Sequence, residues 1–172
     1  TVGEIMDLFI AQIPNTPFPT TVDTLKSGNK DQVVTGIVTT MFATVTVIQK
    51  AIELKANFII AHEPTFYNHL DETAWLENDP VYQFKRNLLD KHGIAVWRNH
   101  DYVHSLAIDG VQAGVVKELG WEKYYKQKAV LDLPETTLGN LITHIKTKMN
   151  VPQLRYVGDL AQKASKIILM PG

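Results

Sequence analysis

Two clusters of polar residues in this sequence combine histidines with carboxylates, the side chains that bind divalent metal ions. The first cluster runs from His62-Glu63 to His69, and the second runs from Arg98 through His100 and Asp101 to His104. Imidazole nitrogens and carboxylate oxygens bind zinc and similar ions at about 2.0–2.2 Å. The sequence has no cysteine, so thiolate ligands are excluded. Any metal site in this chain therefore uses nitrogen and oxygen donors.

Each cluster directly follows a short apolar segment that is typical of a buried β-strand. Residues 57–61 precede the first cluster, and residues 94–97 precede the second. In an open parallel sheet, loops at the carboxyl ends of neighbouring strands meet at one edge, and ligands bind there. We therefore expect imidazoles and carboxylates of the two clusters to lie close enough to face a common ion.

The residues alone leave other interpretations open. The first cluster can equally well hydrogen-bond nearby backbone at a strand end. The spacing of His100 and His104 places both on one helical face, although this spacing is common by chance. We interpret His69, His92 and His144 as surface or packing histidines, because they have no comparable context.

Around the two clusters, strand patterns alternate with helix patterns. β-Branched or continuously apolar segments predict strands at 33–39, 57–61 and 94–97. Helical spacing of apolar residues predicts helices at 5–13, 46–54, 82–91 and 110–119. This order is typical of an α/β fold with a mostly parallel sheet and flanking helices.

The pattern changes after residue 121. It predicts strands at 128–133, 154–157 and 166–170, with a helix at 136–149. We therefore divide the chain into an α/β metal-binding domain, 1–125, and an α+β extension, 126–172. The chain ends with a strand-like segment followed at once by Pro171-Gly172, so we expect the fold to be incomplete at its C-terminus and to continue beyond this residue.

Composition disfavours several classes of protein. Seventeen basic and eighteen acidic residues leave a net charge of -1, which disfavours nucleic-acid binding. The chain has no run of about 18 apolar residues and no leader-like start, so we expect a cytoplasmic protein without membrane segments.

The sequence also lacks the common glycine-rich nucleotide motifs and the G-x-S-x-G nucleophile motif. We expect the aromatic residues to pack the core or a pocket wall, among them Phe58, Phe66, Tyr67, Trp75, Trp97 and Trp121.

Residues 56–64, ANFIIAHEP, resemble the strand and His-His-Pro motif of the Nif-three-like family, which comprises dinuclear-metal proteins and GTP cyclohydrolase type-two homologues. Residues 100–104, followed by 109–111 and 117–120, are similar to that family's HTNLD block and the segments after it. Residues 34–54 match the strand and helix that lead into the first motif. The resemblance covers residues 1 to about 121, and the rest more faintly.

Carried over position by position, the resemblance implies three metal ligands. His62 matches the first histidine of the motif, Glu63 the second, and His104 the aspartate of the HTNLD block. Because both replacements keep a metal-binding donor, we interpret HEP in place of HHP as a variant site. Phe42 stands where the family has an aspartate, and the family's C-terminal His and Glu ligands have no counterpart in these 172 residues.

The resemblance also implies a function. Two divalent ions, such as zinc, manganese or iron, are expected to support hydrolysis of a nucleotide or related small molecule. Homo-oligomers built from dimers, as rings or cages, are expected as well. One alternative is a non-enzymatic metal-binding protein that regulates or binds other proteins, and another is a scaffold without metal.

Overall fold

The computed structural model describes residues 1–126 and 129–171. The chain forms two compact units, of which the first is Thr1–Ala107 and the second begins at Ile108. The helix that starts at Gly110 therefore belongs to the second unit by its contacts. The division into domains at residue 125 stays a prediction.

A four-stranded, mostly parallel sheet organises the first unit and confirms the predicted α/β class. The strands are β1 (Leu25–Ser27), β2 (Ile37–Thr40), β3 (Phe58–Ala61) and β4 (Ala95–Arg98). Their order in the sheet is β1-β4-β3-β2, and β2, β3 and β4 are parallel to one another. The edge strand β1 is antiparallel to β4 and was not predicted, because three residues are too few to show a strand pattern.

The helices of the first unit begin at side chains that satisfy free amides. Thr44 accepts a hydrogen bond from the Val47 amide at the start of α2, and Asp79 accepts from two amides at the start of α3. The helices are α1 (Val2–Ile10), α2 (Val45–Glu53), α3 (Pro80–Lys91) and the single turn α4 (Asp101–His104). Within the part of the chain that the structure describes, no helix is long and apolar enough to cross a membrane.

Alternate residues of β3 and β4 contribute to two separate apolar clusters. Ile59 and Val96 belong to the cluster that includes residues of α2 and α3. Phe58 and Trp97 belong to the cluster that includes residues of α1, and Phe9 packs edge-on against Trp97. This period-two alternation shows that both faces of the sheet are covered. Polar side chains near the sheet are therefore expected at the carboxyl ends of the strands.

The second unit pairs a small antiparallel sheet with helices around its own apolar cluster. Its elements are α5 (Gly110–Glu118), β5 (Val130–Thr137), α6 (Leu138–Lys148) and β6 (Lys163–Ile168). The predicted strand at 128–133 starts at Lys128, which lies outside the described residues. The strand predicted at 154–157 is wrong, because this segment pairs with no strand among the described residues. Val157 is also 98% exposed, so its apolar side chain is not buried.

Two glycines with positive φ provide a matched test of packing against β4. Gly28 has φ +77°, and a Cβ placed there would lie 2.7 Å from the Cα of Ala95. Gly93 has φ +58°, but a Cβ there would meet nothing within 4 Å. We expect Gly93→Ala to cost about 1–2 kcal/mol of unfolding free energy from backbone strain alone. We expect Gly28→Ala to cost about 2–5 kcal/mol, because overpacking against β4 adds to the same strain.

Urea unfolding followed by circular dichroism measures both values. Equal losses for Gly28→Ala and Gly93→Ala would contradict the close packing of Gly28 against β4.

Candidate metal site

The register of the parallel sheet brings the two polar clusters to the same edge. Ala61 is the partner of Arg98, and the Asn99 amide donates to the Ala61 carbonyl at 2.8 Å. On the other side of β3, the His62 amide donates to the Thr40 carbonyl at 3.1 Å. The strand pairing thus continues one residue beyond β3 and β4, and it places the start of both clusters side by side.

Three histidines converge at this edge. One ring nitrogen from each of His62, His100 and His104 can be chosen so that all three lie within 4.8 Å of one another. The His62 ring stacks on that of His100 with centroids 4.6 Å apart, and His104 is edge-on to both. The structure therefore brings two of the residues predicted as ligands together with His100, which the sequence indicated only by its spacing from His104.

Hydrogen bonds determine which nitrogen of two of these rings can bind a metal. Nδ1 of His62 lies 3.2 Å from the Asn99 carbonyl, and Nδ1 of His100 lies 3.0 Å from Oδ1 of Asp101. Carbonyl and carboxylate oxygens only accept, so each Nδ1 carries the proton and donates. In the neutral form of each ring, Nε2 then keeps the lone pair that a metal ion requires.

The surroundings of His62 favour its neutral form. Burial lowers the pKa of this half-buried ring, and the neighbouring His100 and His104 lower it further. The Asn99 carbonyl and the Glu63 carboxylate act in the opposite direction but do not outweigh these effects. A neutral imidazole is the form that coordinates metal, so the local electrostatics prepare His62 as a ligand.

The donor set of the three histidines fits a divalent metal ion. Three imidazoles bind zinc at about 2.0–2.1 Å and leave a fourth position open, as in catalytic zinc sites. The chosen nitrogen atoms lie within 4.8 Å of one another, and rotation of the side chains would bring them to one ion. All three side chains are partly accessible, so an ion and a substrate can reach them.

Glu63, the other predicted ligand, does not belong to this group. Its Oε2 lies 3.9 Å from Nη2 of Arg98, and its side chain is 32% exposed. The carboxylate therefore contributes to the charge balance of a buried guanidinium in this structure. Its role as a ligand stays a prediction.

Arg98 begins the second polar cluster, but its role in the site was not predicted from the sequence. Its side chain is fully buried, and it donates to the His62 carbonyl through Nε at 3.2 Å and to the His69 carbonyl through Nη1. Nη2 also donates to Nδ1 of His69 at 3.3 Å. His69, whose ring is edge-on to His100, must then carry its own proton on Nε2 and is not a ligand in this arrangement. The available signal was a buried strand that ends on an arginine.

Asp23 positions the second cluster from a distant loop. This buried carboxylate accepts the His100 amide through Oδ1 and the Tyr102 amide through Oδ2, both at 2.7 Å. It thereby caps the first turn of α4, whose last residue is His104. No sequence pattern links Asp23 to residues almost eighty positions away.

Asp101 orients His100 from the side opposite the lone pair. Its Oδ2 accepts from the Thr21 hydroxyl at 2.8 Å and from the Val22 amide at 3.2 Å, while Oδ1 accepts from His100. Burial raises the pKa of Asp101, but these hydrogen bonds outweigh it, and the pKa lies below its ordinary value. An ionised carboxylate behind a histidine is the usual support of a metal-binding imidazole.

His144 has the packing role that its sequence context indicated. Its ring stacks on Trp121 with centroids 5.2 Å apart, and Nε2 donates to the Leu119 carbonyl at 2.8 Å. It belongs to the second unit and offers a control for the histidines of the site.

Comparisons with known proteins agree with the geometry. The family model Duf34/NIF3 (NGG1p interacting factor 3) matches residues 22–172. A GTP cyclohydrolase 1 type 2 homolog of Clostridium acetobutylicum is 27% identical over 161 residues, which cover 86% of this chain and 59% of that protein. Its counterpart in Clostridium perfringens is 26% identical over 160 residues, which cover 86% and 60%. This chain therefore spans about three fifths of the length of these relatives.

Two solved structures show the same fold. A Bacillus cereus protein related to NIF3 superposes with a TM-score of 0.76 at 18% identity, over 96% of this chain and 74% of its own. A hypothetical protein of Staphylococcus aureus superposes with a TM-score of 0.73 at 19% identity, over 95% and 68%. These similarities support the mixed α/β fold with a mostly parallel sheet.

Removal of the Asp23 carboxylate tests how the second cluster is held. In Asp23→Ala, two amides lose their acceptor within a buried part of the site, and we expect the unfolding free energy to fall by about 2–5 kcal/mol. Asp31 is an exposed acid of the same unit, and Asp31→Ala is expected to change it by less than about 0.5 kcal/mol. Urea unfolding measures both variants, and similar values for the two would refute the capping role of Asp23.

Proposed function

The chain belongs to the Duf34/NIF3 family, and from this premise we propose that it is a metal-dependent hydrolase that acts on a nucleotide or related small molecule. The observation that supports this proposal most directly is the convergence of His62, His100 and His104. Two of these rings already direct their Nδ1 protons to protein oxygens, which keeps the opposite nitrogens available.

Some residues of the site would bind the ion, and others would orient the residues that bind it. His62, His100 and His104 would hold the ion, and a divalent ion held there supplies Lewis acidity toward a phosphate or carbonyl oxygen of the substrate. Asp101 maintains the tautomer of His100, and the Asn99 carbonyl maintains that of His62. These hydrogen bonds hold two of the rings in place before binding, which favours both affinity and fixed geometry.

The substrate class and the metal count rest on the relatives. Proteins named GTP cyclohydrolase 1 type 2 homolog suggest a nucleotide-like substrate, and we propose zinc, manganese or iron as the metal. Two ions are proposed, with Glu63 as a ligand of the second. This chain spans about three fifths of those relatives, so the second ion and its full set of ligands stay a proposal.

A second candidate function is a non-enzymatic one. The family description names an interacting factor, which favours a metal-binding protein that regulates or binds other proteins. Metal binding with no turnover of nucleotides or phosphoesters would favour this alternative. Self-association into dimer-based rings or cages and a cytoplasmic location also stay predictions.

Substitution of single histidines tests the metal site. We expect His62→Ala, His100→Ala and His104→Ala each to weaken zinc binding by at least about 100-fold, because each removes one of three nitrogen donors. His144→Ala should bind zinc normally. Competition with a chromophoric chelator measures the affinity, and elemental analysis measures the bound metal. Equal binding by His62→Ala and His144→Ala would eliminate the proposed site.

Glu63→Gln determines how many ions the site holds. If Glu63 binds a second ion, the substitution should reduce the zinc content of the metal-saturated protein by about one ion per chain, since an amide is a poor ligand for this ion. The Lys50 partner Glu53 is largely exposed, so Glu53→Gln provides the control. An unchanged zinc content in Glu63→Gln would disprove the role of Glu63 as a ligand.

Asp101→Ala tests the support of His100. Loss of a carboxylate behind a metal-binding histidine lowers metal affinity by about 10–100-fold, and we expect a loss in this range. The exposed Asp90 pairs with Arg86 of its own helix, so Asp90→Ala should have no effect. The measurement is zinc affinity of protein whose circular dichroism shows it to be folded. Wild-type affinity in folded Asp101→Ala would show that His100 does not depend on Asp101.

A further inference from the structure

We propose that a cleft between the loop after Glu63 and the start of α3 binds a small planar aromatic molecule that carries an anionic group. The cleft has a volume of about 420 Å³, and Phe66, Tyr67, Trp75, Tyr82 and Lys85 are among the residues that line it. Ligand pockets typically measure about 300–1,000 Å³, so this cleft accommodates a compact ring system. It is formed within the first unit and shares no side chain with the histidine group.

Aromatic side chains give the cleft its preference for rings. Phe66 meets Tyr82 edge-on with centroids 4.9 Å apart, and Tyr67 meets Trp75 edge-on at 5.1 Å. These edge-on contacts restrict the rings before a ligand binds. They thereby reduce the side-chain conformational entropy that is lost on binding. Tyr67 and Trp75 are nevertheless 70% and 60% exposed. A bound ring would remove this apolar surface from water at a favourable ~25 cal/mol per Å².

Lys85 gives the cleft its preference for an anion. Its ammonium is half-buried, lies 5.8 Å above the Phe66 ring and donates to the Thr65 carbonyl. An ammonium has three donors, and among the described residues no second acceptor for this one is found. Burial lowers the pKa of Lys85, whereas the Asp71 carboxylate raises it without offsetting the burial. An anionic ligand would supply hydrogen-bond acceptors to the ammonium in place of the water that burial excludes.

The carboxylates near the cleft are already occupied. Asp79 lines the cleft, but its Oδ1 accepts from the Val81 and Tyr82 amides at the start of α3, where the helix dipole favours a negative charge. Asp71 is buried, accepts from the Thr65 and Phe66 amides, and forms a 4.0 Å ion pair with Lys26. The Lys85 ammonium therefore keeps hydrogen-bond donors that can bind an anionic ligand.

Calorimetric titration with three small probes tests the proposal on the full chain. Indole-3-acetate has the ring and the charge, indole-3-acetamide has the ring alone, and cyclohexylacetate has the charge without an aromatic ring. We expect indole-3-acetate to bind with one site per chain and each of the other two to bind at least about tenfold more weakly, a factor that corresponds to about 1.4 kcal/mol.

Four variants connect the binding to the cleft. Trp75→Ala and Tyr67→Ala should weaken indole-3-acetate binding about tenfold or more, because each removes one of the exposed rings. Lys85→Met should abolish the preference for indole-3-acetate over indole-3-acetamide, a ratio that does not depend on overall stability. Phe84→Ala is the control, because Phe84 is 57% exposed on the same helix as Lys85 but does not line the cleft.

Three results would overturn the proposal. The first is equal binding of indole-3-acetate and indole-3-acetamide by the wild-type protein. The second is an equal effect of Trp75→Ala and Phe84→Ala, which would indicate nonspecific binding to exposed apolar side chains. The third is a change of oligomeric state in Trp75→Ala with unchanged probe binding, which would make the cleft a contact between copies of the chain. His62→Ala should bind the probe normally, so failure of the metal site is distinguishable from failure of this cleft.

Discussion

The guanidinium of Arg98 is fully buried at the end of β4, and a buried charge is tolerated only where hydrogen bonds and counter-charges match it. Its donors reach the carbonyls of His62 and His69, which lie at the two ends of one loop. If the loop moved away, the guanidinium would lose these partners. A single buried cation therefore holds the backbone that carries His62 and that also contributes Phe66 and Tyr67 to the aromatic cleft.

The second cluster is held by buried or partly buried carboxylates instead of a cation. Asp23 accepts the amides of His100 and Tyr102, and Asp101 accepts from the loop before β1 while it supports His100. Backbone amides at the start of a helical turn favour a carboxylate, just as free carbonyls favour a guanidinium. Charge of opposite sign thus fixes the two sides of the site, and the parallel pairing of β3 with β4 sets the spacing between them.

Much of the fold follows from the sequence because its central strands are continuous apolar segments and most of its helices show regular apolar spacing. The position of the two polar clusters after two such strands indicated that their side chains share one edge of the sheet, and the family resemblance singled out His62 and His104. The contributions of Arg98 and Asp23 were not predictable, since they depend on contacts between residues that are far apart, 77 positions in the case of Asp23 and His100. The prediction for segment 154–157 is an error of the opposite kind, in which a local pattern predicts too much. Apolar residues there predict a strand, but the segment is not a strand in the structure.

The charge of Arg98 offers a physical reason why Glu63 lies outside the histidine group, to which His100 belongs. A neutral histidine at position 63 could not offset the charge of Arg98, whereas the Glu63 carboxylate lies 3.9 Å from the guanidinium. The position that the resemblance assigns to a metal ligand therefore also balances a buried charge in this chain. The third nitrogen donor comes from His100 instead. Three neutral imidazoles leave the full positive charge of a divalent ion uncompensated by its ligands, which favours binding of an anionic group at the open position.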